Sequence, residues 1–215
     1  MDTTTPRGSV ALVKDGEIQG EVRLRAATGH SHSVMPAIVF LLESLGLPPS
    51  GVEAFAVASG PGSFTGLRIG ISTVQGLALA SGRPCLALCA LDLLASRIRG
   101  AAPCLVAMID AYRDQVYAGV YDTESRLQGS WRTEAQAALV GSLPEEAAFL
   151  GDGAVRYRDA ILRLRPRARF PERSLYLAGT LGLLAEPRLQ AGEGGPAEGL
   201  RPLYLRAPHI RPLAG

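Results

Sequence analysis

Apolar and polar positions alternate along this chain in a pattern whose period changes several times. Residues 8–14 and 17–25 alternate with a period near two. They are joined by Asp15-Gly16, a pair that readily adopts the left-handed conformations of a tight hairpin turn. Over residues 33–45 the period lengthens. Met35, Ile38, Val39, Leu41, Leu42 and Leu45 form a helical stripe closed by Gly46 and Pro48. Residues 52–58 are a short apolar run with the length of a buried strand. A glycine-rich turn follows, and residues 66–81 then predict a helix, with Ser63 or Thr65 to cap its start and Gly82 and Pro84 to stop it. Residues 84–88 predict another buried strand and 91–99 another helix.

Residues 99–103, Arg-Gly-Ala-Ala-Pro, mark a lobe boundary and divide the chain into 1–102 and 103–215. Beyond it the order partly repeats. Strands are predicted at 104–110, 115–121 and 127–131, then helical pieces, a strand at 147–150, and helices at 154–164 and 174–186. Residues 191–199 are rich in Gly and Glu and are expected to be mobile. Each half opens with a strand ending in aspartate, Asp2 and Asp110, which suggests a duplicated unit.

Composition narrows the function classes. The 215 residues are 47% hydrophobic and 20% charged, the profile of a globular protein with ample length for a core. A net charge of +2 does not announce a nucleic-acid binder. Cys85, Cys89 and Cys104 lie in apolar runs and read as free thiols in a reducing compartment; Cys85 and Cys89 have no second ligand pair to complete a zinc site. No apolar run approaches the ~18 residues of a membrane span and no signal peptide is evident, so a cytoplasmic protein is expected.

The stretch from Gly60 to Gly76 carries the candidate chemistry. Strand, glycine turn and helix N-terminus together offer backbone N–H groups to an anion, with Gly60, Gly62, Ser63, Thr65 and Arg68 as the candidate contacts. A dinucleotide fingerprint would need glycine where Thr65 stands, and a P-loop would need Gly-Lys-Ser/Thr where Gly66-Leu67-Arg68 stands. Glycine in a helix costs about 1 kcal/mol. A strip of Gly66, Gly70, Ser72, Thr73 and Gly76 therefore points to a closely approaching backbone, either the chain's own sheet or a partner helix.

Gly60-Pro-Gly-Ser-Phe-Thr-Gly-Leu-Arg-Ile-Gly70 followed by Gln75-Gly-Leu-Ala78 resembles the signature of the TsaB/YeaZ family. Asp2-Thr-Thr-Thr5, Ser9-Val-Ala-Leu12, His32-Ser33 with Pro36, and Tyr204-Leu-Arg206 extend the likeness over most of the chain. The resemblance implies an α/β fold of the actin-like ATPase (sugar-kinase-like) superfamily, with two similar lobes. It implies an accessory subunit, without a catalytic site of its own, for threonylcarbamoylation of adenosine beside the anticodon of tRNA. The partners would be a catalytic TsaD-type paralogue and a TsaE-type nucleotide-hydrolysing subunit, with tRNA engaged indirectly and a homodimer formed when the chain is alone. No cofactor is expected to bind tightly; ATP or ADP would sit at a subunit boundary. Val34, Ile38, Leu41 and Leu42 of the first helix, with Gly66, Ile69, Gly70, Thr73 and Gly76 of the second, would form the partner face. The catalytic paralogue's metal-binding histidines align with Ala90 and Leu94, which bind no metal. The family pattern also places Asp2-Thr-Thr-Thr5 at the end of a mid-sheet strand of which only Met1 is present, so a start upstream of Met1 is expected.

Three features support other readings. His30 and His32, beside Ser31 and Ser33, raise a stand-alone hydrolase or peptidase, although no orienting acid accompanies them and loop or interface histidines are expected. Asp2, Ser63 and Asp110 raise a nucleotide-binding, kinase-like enzyme, although Tyr112 and Arg113 crowd the second aspartate. Arg156, Arg158, Arg163, Arg165, Arg167, Arg169 and Arg173 face only Asp159 and Glu172 in the same run; Arg163, Arg165 and Arg167 are the candidate tRNA contacts, against a solvated helix face. His209, in a proline-flanked tail, is expected to be structural or idle.

Overall fold

The computed structural model describes residues 1–25 and 30–206. His209 lies outside them. The first hairpin joins β1 (Arg7–Lys14) to β2 (Glu17–Arg25), and α1 (Val34–Ser44) follows. Then come β3 (Phe55–Gly60), α2 (Phe64–Ser81), β4 (Cys85–Cys89) and α3 (Ala90–Ser96). β3 and β4 are parallel. Residues 1–2 join the two ladders. The Met1 amine donates to the Ala56 carbonyl (2.8 Å), the Ala58 N–H donates to the Met1 carbonyl (3.0 Å), and Asp2 exchanges two 2.9 Å bonds with Ser9. The first layer therefore runs β2, β1, residues 1–2, β3, β4.

The second half contributes β5 (Cys104–Asp110), β6 (Gln115–Asp122), β7 (Arg132–Ala135), α4 (Gln136–Gly141), β8 (Ala147–Leu150), α5 (Asp152–Arg156), α6 (Arg158–Leu164) and α7 (Ala178–Gln190). Its sheet runs β7-β6-β5-β8, with β5 and β8 parallel and the other pairs antiparallel. Residues 1–2 and β5 hold equivalent places in the two layers, each between an antiparallel hairpin strand and a parallel one.

Side-chain alternation builds three cores. Phe55, Val57, Cys85 and Ala87 turn toward α1 and α2, while Ala56, Ala58, Leu86 and Leu88 turn the other way, onto α3 and α7. In the second sheet Leu105, Ala107 and Ile109 join that same α3/α7 core, and Cys104, Val106 and Met108 face α4 and α6. Helices α3 and α7 are thus packed between the sheets. α7 lies against β1 although it comes from the C-terminal half: a methyl at Gly182 would overlap Val13, and the Ser9 hydroxyl accepts the Ala178 N–H (3.0 Å).

Several expectations change. The strand read at 127–131 lies at Arg132–Ala135, an edge strand too polar to show alternation; Leu127 makes only an isolated bridge to Tyr121. The helix read at 154–164 is two, broken at Tyr157, and the one read at 174–186 starts at Ala178. Residues 191–199 are not a loose loop. Gly195 pairs with Cys85, Ala197 is buried, and the Gln75 amide donates to the Ala197 carbonyl (3.2 Å). Cys85, Cys89 and Cys104 are free, buried thiols, and burial pushes the Cys89 thiol up to about 12. Among the described residues, no helix is long and apolar enough to cross a membrane.

Candidate partner face and interlobe cleft

Helix α1 is apolar all round, so its two faces must be told apart by packing. Val34, Ala37 and Leu41 point into the core with Val10, Val57 and Ile71. Val34 and Leu41 are therefore internal, which corrects their assignment to the partner face. Ile38 and Leu42 are half-buried at its margin. The outward residues are Met35, Val39, Phe40 and Leu45; Phe40 is 62% exposed. The sequence reading passed over Phe40. Helical spacing puts Val34, Ala37 and Leu41 on one i, i+3, i+7 line and Met35 and Val39 (i, i+4) on another, but with every position apolar it does not tell which line faces the core.

Helix α2 divides in the same way. Ser63 caps it, accepting the Gly66 N–H (3.4 Å), and Gly82 ends it in the left-handed conformation. Gly66 and Gly70 face residue Thr3: a methyl at Gly66 would overlap the Thr3 carbonyl oxygen, and one at Gly70 the Thr3 hydroxyl. Both belong to internal packing rather than to a partner contact, because the close backbone is the chain's own N-terminal segment. Gly76 has open space around it, and with Ser72 and Leu79 (58% exposed) it lies outward, while Ile69 and Thr73 are half-buried. Both helices pack on the same core, so their outward apolar residues lie on one side of the first sheet.

The glycine turn is occupied by the chain itself. The Ser63 N–H donates to the Thr4 carbonyl (2.7 Å), and a methyl at Gly62 would overlap that carbonyl. Gly60, at φ 117°, brings its backbone against the Leu203 carbonyl, and the Leu203 N–H donates to Ser59 (2.7 Å). Thr65 is exposed, and Arg68 lies over the Phe64 ring at 3.9 Å, with Tyr204 stacked on that ring at 5.2 Å. A small cleft of about 260 Å³ remains between this turn and the β5–β6 turn.

The two strand-end aspartates are both engaged. Asp2 is fully buried; one of its carboxylate oxygens accepts from the Thr4 N–H (2.9 Å) and hydroxyl (2.7 Å). Burial pushes its pKa above the carboxylate range. Asp110 pairs with Arg156 (3.3 Å) and accepts from the Tyr112 N–H and the Tyr157 hydroxyl. Tyr112, Arg113 and Asp114 all have positive φ, a tight turn in place of a phosphate-sized loop. His30 sits in a loop but is buried, with its Nε2 hydrogen-bonded to the Thr5 carbonyl (2.8 Å); His32 is exposed. Ala90 and Leu94 are core residues of α3.

The arginine run does not act as one stripe. Arg165 is spent internally, donating to the carbonyls of Leu143 (2.8 Å) and Gly141 (2.6 Å). Arg163 and Arg167 are exposed, and Arg167 reaches Glu146 only at 4.0 Å.

Comparison with known proteins now decides the family. The family model described as "TsaD: tRNA N6-adenosine threonylcarbamoyltransferase" matches residues 17–147. A solved Pseudomonas aeruginosa protein described as similar to the peptidase YeaZ is 35% identical, with a TM-score of 0.79 over 95% of this chain and 97% of that one. The chain belongs to the TsaB/YeaZ family. Its two repeated lobes are the actin-like, sugar-kinase-like architecture. The YeaZ structure from the same organism is 34% identical, with a TM-score of 0.76 over 95% of this chain and 97% of that one. The Escherichia coli "tRNA threonylcarbamoyladenosine biosynthesis protein TsaB" is 35% identical over 65% of this chain, and the Bacillus subtilis protein of the same name 32% over 59%. The matched regions span 60% and 56% of those two relatives.

Proposed function

We propose that this chain is the accessory TsaB-type subunit of a complex that makes threonylcarbamoyladenosine in tRNA. It binds and activates a TsaD-type catalytic paralogue through the outward faces of α1 and α2. The observation that carries the reading is the unpartnered apolar face of α1, with Met35, Val39 and Phe40 exposed beside a fully formed core. A large solvent-facing aromatic among aliphatic residues is the composition of an interface core, not of a monomer's surface.

The chain's own chemistry supports an accessory role. Asp110 and one carboxylate oxygen of Asp2 are committed to internal bonds, and core residues occupy positions 90 and 94. A TsaE-type nucleotide-hydrolysing subunit completes the assembly in the cytoplasm. Nucleotide is held at a subunit boundary, and tRNA is engaged mainly by the other subunits, with Arg163 and Arg167 as this chain's contacts. Without its partner, the same face supports a homodimer.

The test is nucleoside mass spectrometry on tRNA from a reconstituted reaction with and without this chain. The mixture holds the catalytic paralogue, the adenylate-forming enzyme, the nucleotide-hydrolysing subunit, threonine, bicarbonate and ATP. Modified adenosine is expected only when the chain is present, and Phe40→Asp is expected to lose it while remaining folded. Equal product without the chain would overturn the reading and favour a stand-alone activity.

A further inference from the structure

Two buried polar atoms of the first layer, Asp2 Oδ2 and His30 Nδ1, have no hydrogen-bond partner among the described residues. Both side chains border the same turn of chain. Asp2 is paired through its backbone with Ser9, and the His30 ring lies on the preceding residue, Gly8, where a methyl would overlap Nδ1 and Cε1. We propose that Asp2 and His30 form a proton-operated latch that fixes the start of α1 against the start of α2.

The latch reaches both helices. The His30 carbonyl accepts the Ser33 and Val34 N–H groups (both 3.1 Å), and the Ser33 side chain caps no N–H of α1, so His30 sets where this helix begins. Its Nε2 is bonded to the Thr5 carbonyl (2.8 Å). Residues 2–5 continue to α2: the Thr3 hydroxyl donates to the Gly66 carbonyl (2.7 Å), and the Thr4 carbonyl accepts the Ser63 N–H (2.7 Å). Whatever holds His30 to residues 2–5 therefore sets α1 relative to α2.

That hold depends on one proton. A carbonyl only accepts, so Nε2 carries the hydrogen, and in neutral His30 the Nδ1 atom is a bare lone pair. The charged Asp2 carboxylate also only accepts, and its other oxygen already takes the Thr4 N–H and hydroxyl. Two acceptors shut away from water without a donor are a standing cost. One added proton, on Nδ1 or on Oδ2, turns the pair into a donor and an acceptor. Burial raises the affinity of Asp2 for that proton, while its Thr4 bonds, the Met1 amine and His30 lower it; Glu21 acts on the amine. As pH falls the proton enters and the latch closes; as pH rises it opens. Closure presets the outward faces of α1 and α2, so association strengthens toward acid pH, a consequence that rests on those faces being the partner surface.

Long-range 15N–1H NMR of the His30 ring in the full chain, followed from acid to alkaline pH, tests the latch. The neutral ring is expected to carry its hydrogen on Nε2, and the Val34 and Met35 amides of α1 should shift in step with the ring. In Asp2→Asn the step should move by about half a pH unit or more, and the two amides should lose most of their response. His30→Gln, checked by thermal melt as Asp2→Asn would be, should lose the amide response altogether. His32→Gln changes an exposed ring and should alter neither signal. Sedimentation with a TsaD-type paralogue should show association about threefold tighter on the acid side of the step than on the alkaline side, and no such difference in Asp2→Asn. A step unmoved in Asp2→Asn, or α1 amides that ignore it, would overturn the latch. Amides that follow the step without association on either side would support the latch and overturn the partner surface instead.

Discussion

Thr3 grips Gly66 from both sides of its own backbone: its hydroxyl donates to the Gly66 carbonyl at 2.7 Å, and its carbonyl oxygen fills the space a Gly66 methyl would need. The N-terminal segment thus decides which glycines of α2 are obligatory. The obstacle at Gly66 is backbone, which cannot swing aside. Gly66→Ala is expected to lower the unfolding free energy by about 2 kcal/mol or more. At Gly76 nothing lies within reach, so Gly76→Ala should raise it by about 0.5–1 kcal/mol through helix propensity alone. Urea denaturation of the two variants would show opposite shifts; a destabilised Gly76→Ala would place that glycine in a packed interior.

The two faces of α1 make a second contrast. Leu41 is buried among Val10, Val34 and Ile71, so Leu41→Ala should cost about 2–4 kcal/mol. Phe40→Ala should stay within about 0.5 kcal/mol of the parent, yet weaken association with a TsaD-type partner at least tenfold. Thermal melts and analytical ultracentrifugation of the mixed proteins would read both effects. Retained association in folded Phe40→Ala would remove this helix face from the interface.

What the sequence made legible follows from where each signal originates. β2 and β5 were read to the residue because each alternates or runs apolar between sharp stops, Asp15-Gly16 before one and Pro103 before the other. β7 was misplaced because an edge strand of Arg-Thr-Glu-Ala takes its conformation from pairing with β6, which periodicity does not record. The pairing of Gly195 with Cys85 spans more than a hundred residues and was invisible for the same reason. At the candidate site the helices were legible but their sidedness was not. Val34 and Phe40 are equally apolar on paper, and only the position of β1 separates core from surface. The family was legible because the turn from Gly60 to Gly66 must accommodate Thr3 and Thr4, which leaves few residue choices there.

Trp131, the single tryptophan, reports on the joint between the second sheet and α3. Its indole N–H donates to Asp92 (3.0 Å), which also accepts from the Tyr121 hydroxyl at 2.7 Å. Tyr121 is almost completely buried, and burial, with Asp92 beside it, raises its pKa strongly, so the phenol stays neutral and donating. Tyr121→Phe should cost about 1–2 kcal/mol for the lost bond to a charged acceptor. Asp92→Ala should cost more, because it leaves a buried hydroxyl without its acceptor. Tryptophan emission and chemical denaturation measured together would check this, with a red-shifted spectrum expected for Asp92→Ala; unchanged emission and stability would show that the contact contributes nothing.

Asp152 provides a pH signature. Burial raises its pKa above the ordinary 3.8, and one carboxylate oxygen accepts the Asp110 N–H at 3.1 Å. The folded protein therefore holds this proton more tightly than the unfolded chain. The group's stabilising contribution is complete below the unfolded value and declines as pH climbs from there through the folded one. Above that window the folded state carries a buried charge only partly compensated by Arg7. Asp152→Asn keeps the acceptor oxygen and removes the charge. Relative to the parent, it is expected to gain stability as pH rises from about 4 through the folded value and to level off above it, measured by guanidinium denaturation at several pH values. A difference that grows the other way would mean that Arg7 and the N–H donors outweigh burial and hold this carboxylate ionised in the native state.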